Sequence, residues 1–218
     1  MKKLDRNQLA ARVARDFPDG SYVNLGIGLP TLVANHIPKG REVILHSENG
    51  VLGIGPKPVA GEEDEDLINA GKEPVTLLQG GSFFHHADSF GMIRGGHLDY
   101  CVLGAFQVSV AGDLANWHTG APDAIPAVGG AMDLALGAKN VLVMMEHLTK
   151  DGKSKVVERC SYPLTGVRCV NRIYTDLAVI DVTPDGLQVV EIVAELPFDE
   201  LQRLTGVPLK PAAAARAA

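Results

Sequence analysis

The chain has 218 residues, 46% of them apolar and 21% charged, with a formal net charge of −6 and a pI near 5.6. That balance belongs to a globular chain of one-domain size, and its acidic excess leaves no basic stripe for nucleic acid. No apolar run reaches the ~20 residues of a bilayer span, so no membrane association is expected.

The opening MKKLDRNQLAARVARDF has two lysines but no following apolar block, and it carries Asp5 and Asp16. It reads as neither a secretory signal nor a transit peptide, and the cytoplasm is the default compartment. Leu9, Val13 and Phe17 fall at i, i+4 and i+8 and predict an amphipathic helix. SYVNLGIGLPTLVANHI then reads as strand, glycine turn and helix, with Pro30 suited to a first helical turn. EVILHS and PVTLLQGG are strands, and LDYCVLGAFQVSV is one longer apolar run. GGAMDLALGAKNVLVMMEH predicts a short helix and a buried strand. DLAVIDVTPDGLQVVEIV is a hairpin about a Pro-Asp-Gly turn, and FDELQRLTG is a last helix stopped by Gly206.

Short apolar strands separated by helical stretches predict an α/β fold: an open, mostly parallel sheet flanked by helices. Without a repeat or a linker, residues 1–208 read as one domain and 209–218, ending in PAAAARAA, as a flexible tail.

Several chemistries fail on spacing. GIGLPT and GIGPKP put Thr31 and Pro58 where a dinucleotide fingerprint needs its third glycine, and no P-loop occurs. His85 and His86 are adjacent, and adjacent side chains of a strand face opposite ways, so no metal site is expected there. No GxSxG elbow is present. Cys101, Cys160 and Cys169 are odd in number, form no CxxC pair and read as idle thiols.

Glu48 remains. It follows the strand VILHS and precedes three glycines in VLGIG and its turn, and ligands of α/β sheets bind outside the carboxyl ends of strands. A strand-end glutamate is also an ordinary cap or ion-pair partner, and spacing leaves both readings open.

SENGVLGIGP, VNLGIGLPTLVAN, DLINAGK, MIRGGHLD, GDLANW and GGAMDL, spread from about residue 20 to 208, resemble the B subunits of the 3-oxoacid CoA-transferases. The resemblance implies a fold shared with sugar-phosphate isomerases and deaminases, and a separate A subunit that completes the site, so that the chain alone is inactive. It implies that Glu48 attacks an acyl-CoA thioester and then carries CoA as a glutamyl thioester, with CoA as substrate and no metal or organic cofactor. By the motif, the amide of Gly130, with Gly129 beside it, is the oxyanion donor. Ser47, Asn49, Gly50, Asn116, His86 and Arg94 are the expected substrate- and CoA-binding residues, with Ser47 and Asn49 orienting the glutamate or the turn and Asn116, beside Trp117, facing the ligand. The rival on this fold is an isomerase or deaminase with Glu48 as general base. A non-enzymatic role supporting the partner is the other.

SFFHHADSF and ANWHTGAPDAIPAVGG resemble the 3-oxoadipate branch more than the ketone-body branch, which favours 3-oxoadipate over acetoacetate as acceptor. His85, His86, His118 or Arg94 would then meet the second carboxylate.

Overall fold

Asp5 and Gln8 exchange hydrogen bonds at the start of the first helix, α1 (Arg6–Ala14). Asp5 Oδ1 accepts from the Gln8 N–H at 2.8 Å, and Gln8 Oε1 accepts from the Asp5 N–H at 2.9 Å. This reciprocal cap satisfies two donors at the helix start. In the computed structural model, which describes residues 2–121 and 127–211, the expected stripe of Leu9, Val13 and Phe17 is buried. Among the described residues no helix is long and apolar enough to cross a membrane.

The chain divides into two compact units. The first comprises Ala10–Gly104 and Gly130–Val141, and the second the described parts of Met1–Leu9, Ala105–Gly129 and Leu142–Ala218. Composition gives no sign of this division, because three of the crossings fall inside a helix, an apolar run and a strand rather than at a polar linker.

In the first unit β1 (Ser21–Leu25), β2 (Val43–Ser47), β3 (Val51–Ile54), β4 (Leu77–Phe83) and β5 (Tyr100–Leu103) stand in the order β5-β1-β2-β3-β4. β1 is parallel to both neighbours, with Asn24 opposite Cys101 and His46. β3 and β4 continue the sheet antiparallel. The expected open α/β sheet is therefore parallel where β2 ends and antiparallel toward this edge. β3 arises in VLGIG, whose glycines read as turn; Val51 and Ile54 are buried, and Gly53 at φ 82° lets Gly81 approach. The helix expected after Gly28 is a 3₁₀ segment, Leu29–His36. Thr31 explains it: its N–H and its hydroxyl both donate to the Gly28 carbonyl, at 3.1 and 2.7 Å, which sets the tighter i→i+3 turn.

Two helices of this unit, α2 (His86–Arg94) and α3 (Ala131–Gly137), meet at Gly137. A Cβ there would lie 2.3 Å from the Ile93 carbonyl oxygen, so only glycine permits the approach.

The second unit holds β6 (Gln107–Ser109), β7 (Leu114–Ala115) and β9 (Val156–Val157) in a small sheet ordered β7-β6-β9. β8 (Asn140–Met145), β10 (Val170–Thr175), β11 (Ala178–Thr183), β12 (Gly186–Ile192) and β13 (Leu209–Lys210) stand in the order β13-β12-β11-β10-β8. The run LDYCVLGAFQVSV is thus two strands, β5 and β6, broken at Gly104. The hairpin β11–β12 turns at Pro184 and Asp185 as expected. α4 (Phe198–Thr205) ends at Gly206, which is left-handed at φ 74°. The tail does not begin at 209: Leu209 and Lys210 pair in parallel with Leu187 and Gln188, because Leu209 buries its side chain. Residues 212–218 lie outside the described residues.

His147 ties this unit together. Its backbone N–H donates to Asp176 Oδ1 at 2.7 Å, and its Nδ1 and Nε2 lie 3.0 Å from the hydroxyls of Thr175 and Thr205. The Thr205 hydroxyl donates to the Leu201 carbonyl at 2.7 Å and the Thr175 hydroxyl to the Ala178 carbonyl at 3.1 Å, so both hydroxyls facing the ring direct a proton elsewhere. Burial lowers the His147 pKa from 6.5 to about 4. The unfolded chain therefore binds a proton that the folded unit refuses, and stability is complete above pH 6.5 and falls as pH drops toward 4. The loss from this one group is on the order of 3 kcal/mol. Urea unfolding at pH 7.0, 5.5 and 4.5 should show that decline, and His147→Gln should flatten its slope by about one proton. An unaltered slope in the variant would contradict this account of His147.

Candidate active site

β2 delivers Glu48 to the carboxyl end of a parallel strand, and the chain reverses at once through Glu48, Asn49 and Gly50 into β3. Ser47 pairs with Val51 across this three-residue turn, and the Gly50 N–H donates to the Ser47 carbonyl at 3.0 Å. Gly50 is required twice over: its φ is 105°, and a Cβ would lie 2.1 Å from the Phe84 carbonyl oxygen. The Gly50 carbonyl in turn accepts from the Phe84 N–H at 3.0 Å. Glu48 is left half-buried at the tip.

A buried polar file runs beneath it. Asn24, wholly buried in β1, directs its Nδ2 at Glu48 Oε2 (3.2 Å), the His46 carbonyl (3.2 Å) and His46 Nδ1 (3.1 Å). Two of these are oxygen acceptors, which fixes the amide with nitrogen rather than oxygen toward them. The His46 Nδ1 must then accept, so its proton sits on Nε2 and is donated to Ser89 Oγ at 2.9 Å. Ser89 passes its own proton to the Ser47 carbonyl at 3.3 Å. Burial lowers the His46 pKa from 6.5 to about 4, so the ring is neutral at neutral pH. Asn24 Oδ1 is buried and has no hydrogen-bond partner among the described residues. Glu48 is thus held by a neutral amide, and among the described residues no lysine or arginine pairs with it.

The opposite flank is Gly130 at the start of α3. A Cβ there would stand 3.5 Å from Glu48 Oε1 and 3.0 Å from Phe90 Cζ, so the glycine leaves the carboxylate room on that side. Ser47 and Asn49 pin the loop DLINAGK to the hairpin: Ser47 Oγ accepts from the Ala70 N–H at 2.9 Å, and Asn49 Nδ2 donates to the Ile68 carbonyl at 2.8 Å. Arg94 is held by Asp133, with Nε to Oδ1 at 2.7 Å, and His85 caps α2 by accepting from the Ala87 N–H. Glu48, Ser47, Asn49, Gly50, Gly130, His86 and Arg94 therefore belong to one unit. Asn116, Gly129 and His118 belong to the other. There Asn116 bonds Thr165, and His118 accepts from the Gly120 N–H. Asn24, His46, Ser89 and Phe90 are the neighbours that the sequence did not single out. An asparagine inside the apolar strand SYVNL was the readable sign. Among the described residues no group of three histidine, cysteine or acidic side chains is placed to hold a metal ion.

A family profile described as Coenzyme A transferase matches residues 6–195. The chain belongs to the coenzyme A transferase family. It is 71% identical to the B subunit of the 3-oxoadipate CoA-transferase of Pseudomonas putida, over 95% of this chain and 97% of that one. It is 50% identical to the B subunit of the probable succinyl-CoA:3-ketoacid coenzyme A transferase of Bacillus subtilis, over 93% and 94%. Among solved structures, the acyl-CoA transferase YdiF of Escherichia coli O157:H7 superposes with a TM-score of 0.69 at 21% identity. That match covers 91% of this chain and 41% of YdiF, and it speaks for the fold.

The hairpin itself is open to test. Gly50→Ala forces a methyl against the Phe84 carbonyl at a left-handed φ, and should destabilise the chain by at least about 2 kcal/mol. The midpoint of urea unfolding measures it, and an unchanged midpoint would mean that the turn is not held against Phe84.

Proposed function

We propose that this chain is the glutamate-bearing B subunit of a succinyl-CoA:3-oxoadipate CoA-transferase. The observation that carries the acceptor is the 71% identity, nearly end to end, to the B subunit of a 3-oxoadipate CoA-transferase, against 50% to the 3-ketoacid relative. The same names support a separate A subunit as partner. The cytoplasm is the compartment proposed.

Glu48 is the proposed nucleophile. Its carboxylate attacks the succinyl-CoA carbonyl and expels CoA thiolate, leaving a mixed succinyl-glutamyl anhydride. The thiolate attacks the glutamyl carbonyl and expels succinate, leaving a glutamyl-CoA thioester. The 3-oxoadipate carboxylate attacks that thioester, the thiolate leaves, and its return to the 3-oxoadipyl carbonyl frees Glu48. Every step is acyl transfer, so atoms and electrons balance without a redox cofactor or a metal; coenzyme A enters only as a thioester substrate.

The geometry supports these roles. An amide donor orients Glu48 without an ion pair that would quench its nucleophilicity. Asn24 is a positioning residue in this scheme, with His46 and Ser89 holding its amide. Each addition passes through an oxyanion that needs preorganised N–H donors. The Gly130 amide, beside Glu48 Oε1, is the donor we assign, with Gly129 next to it in the chain.

The complex with its A subunit, incubated with succinyl-CoA, should carry a CoA-sized adduct on the peptide containing Glu48, seen by mass spectrometry and cleared by 3-oxoadipate. Clearance by acetoacetate alone would keep the mechanism and change the acceptor, and no adduct at all would refute the scheme. Asn24→Ala should lower kcat by about 10- to 100-fold with a smaller change in KM, since it removes one hydrogen bond to the charged nucleophile. An unchanged kcat would remove Asn24 from this role.

A further inference from the structure

His86, Phe90 and Arg94 follow one another at i, i+4 and i+8 along α2 and so share one helix face. The rings of His86 and Phe90 are 4.9 Å apart, and the Arg94 guanidinium lies 5.7 Å from the Phe90 centroid. Phe90 borders the candidate nucleophile, because its Cζ and Glu48 Oε1 lie 3.0 and 3.5 Å from the one point where a Cβ on Gly130 would stand. An acyl chain attached at Glu48 and running along this wall meets Phe90 first and the polar ends of the stripe next.

The polar neighbours are not equivalent. Arg94 has its Nε on Asp133 Oδ1 at 2.7 Å and its guanidinium over the Phe90 ring. His85 spends its Nδ1 on the cap of α2. His86 is exposed, and its ring nitrogens have no hydrogen-bond partner among the described residues. From this we infer that His86 binds the far carboxylate of the acid, and so selects dicarboxylic over monocarboxylic 3-oxoacids. The assignment rests on Glu48 as the point of attachment. A six-carbon diacid holds its carboxyl carbons about 6 Å apart, from C–C bonds of about 1.5 Å. Extended by one hydrogen bond of about 2.8 Å, it is longer than the 4.9 Å between the ring centroids of Phe90 and His86. The phenyl face packs the intervening methylenes. Acetoacetate has no second carboxylate and gains nothing from His86.

The test uses the complex with the A subunit and the variants His86→Ala, His86→Gln and His85→Ala. In ping-pong exchange the acceptor's kcat/KM reports only its own half-reaction, so the donor does not blur the comparison. His86→Ala should lower kcat/KM for 3-oxoadipate about 10- to 100-fold, the loss of one hydrogen bond to a charged group, and leave acetoacetate within about twofold. His86→Gln, which keeps an N–H, should recover part of the loss, and His85→Ala should not reproduce the selectivity change. Inhibition against 3-oxoadipate gives a second reading: adipate should outcompete hexanoate in the unsubstituted complex and lose that advantage in His86→Ala. Equal losses for both acceptors, or an unchanged preference for adipate, would overturn the assignment. The CoA adduct on Glu48 formed from succinyl-CoA separates the two ideas. Its presence with unchanged selectivity removes only His86, whereas its absence in the unsubstituted complex removes the Glu48 reading.

Discussion

The hydrogen bond from Asn24 Nδ2 to Glu48 Oε2 sets the character of the candidate site. A carboxylate that attacks a thioester must be fixed in place and yet keep its lone pairs available. A lysine or arginine partner would fix it and also draw off its charge. A neutral amide fixes it at a smaller electrostatic cost, and the amide is itself oriented from below by the His46 carbonyl and by His46 Nδ1. The neutrality of His46, enforced by burial, is part of the same arrangement: a protonated ring could not accept from Asn24.

The backbone around the file depends on close approach. Gly50 lets the turn bearing Glu48 meet the Phe84 carbonyl, and Gly137 lets α3 settle against Ile93 of α2, the helix that also bears Phe90. The hairpin and the two helices therefore belong to one packed unit, in which Glu48, Gly130 and Phe90 have adjoining positions. Parallel pairing of β1 with β2 supplies the register that sets Asn24 beside His46. A side chain held on paired strands is more precisely placed than one on a free loop.

Glycines and stop signals were legible because their requirement is local. Gly206 ends α4, Pro184 and Asp185 turn a hairpin, and the stripe of α1 follows helical spacing. The second strand of the Glu48 hairpin was not legible, since Gly53 in VLGIG argues against a strand until Gly81 is seen across from it. The break of one apolar run into β5 and β6 was hidden for a related reason: both halves are buried, and burial on either side of Gly104 reads as continuity.

By itself the sequence determined the α/β class, the family resemblance and the prominence of Glu48, Gly50 and Gly130, each of which sits within a short motif. Tertiary structure alone decided which residues surround them. Asn24, His46 and Ser89 are separated by 22 and 43 positions, and only parallel register and the packing of α2 bring their polar atoms within 3.1 Å of one another in turn. The same holds on the approach to the site, where His85, His86 and Arg94 look alike as candidate carboxylate binders. The cap of α2 takes Nδ1 of the first and Asp133 takes Nε of the third, whereas neither ring nitrogen of His86 has a partner among the described residues. Hydrogen-bond partners are assigned by the fold, and a side chain's chemistry is whatever capacity those partners leave unspent.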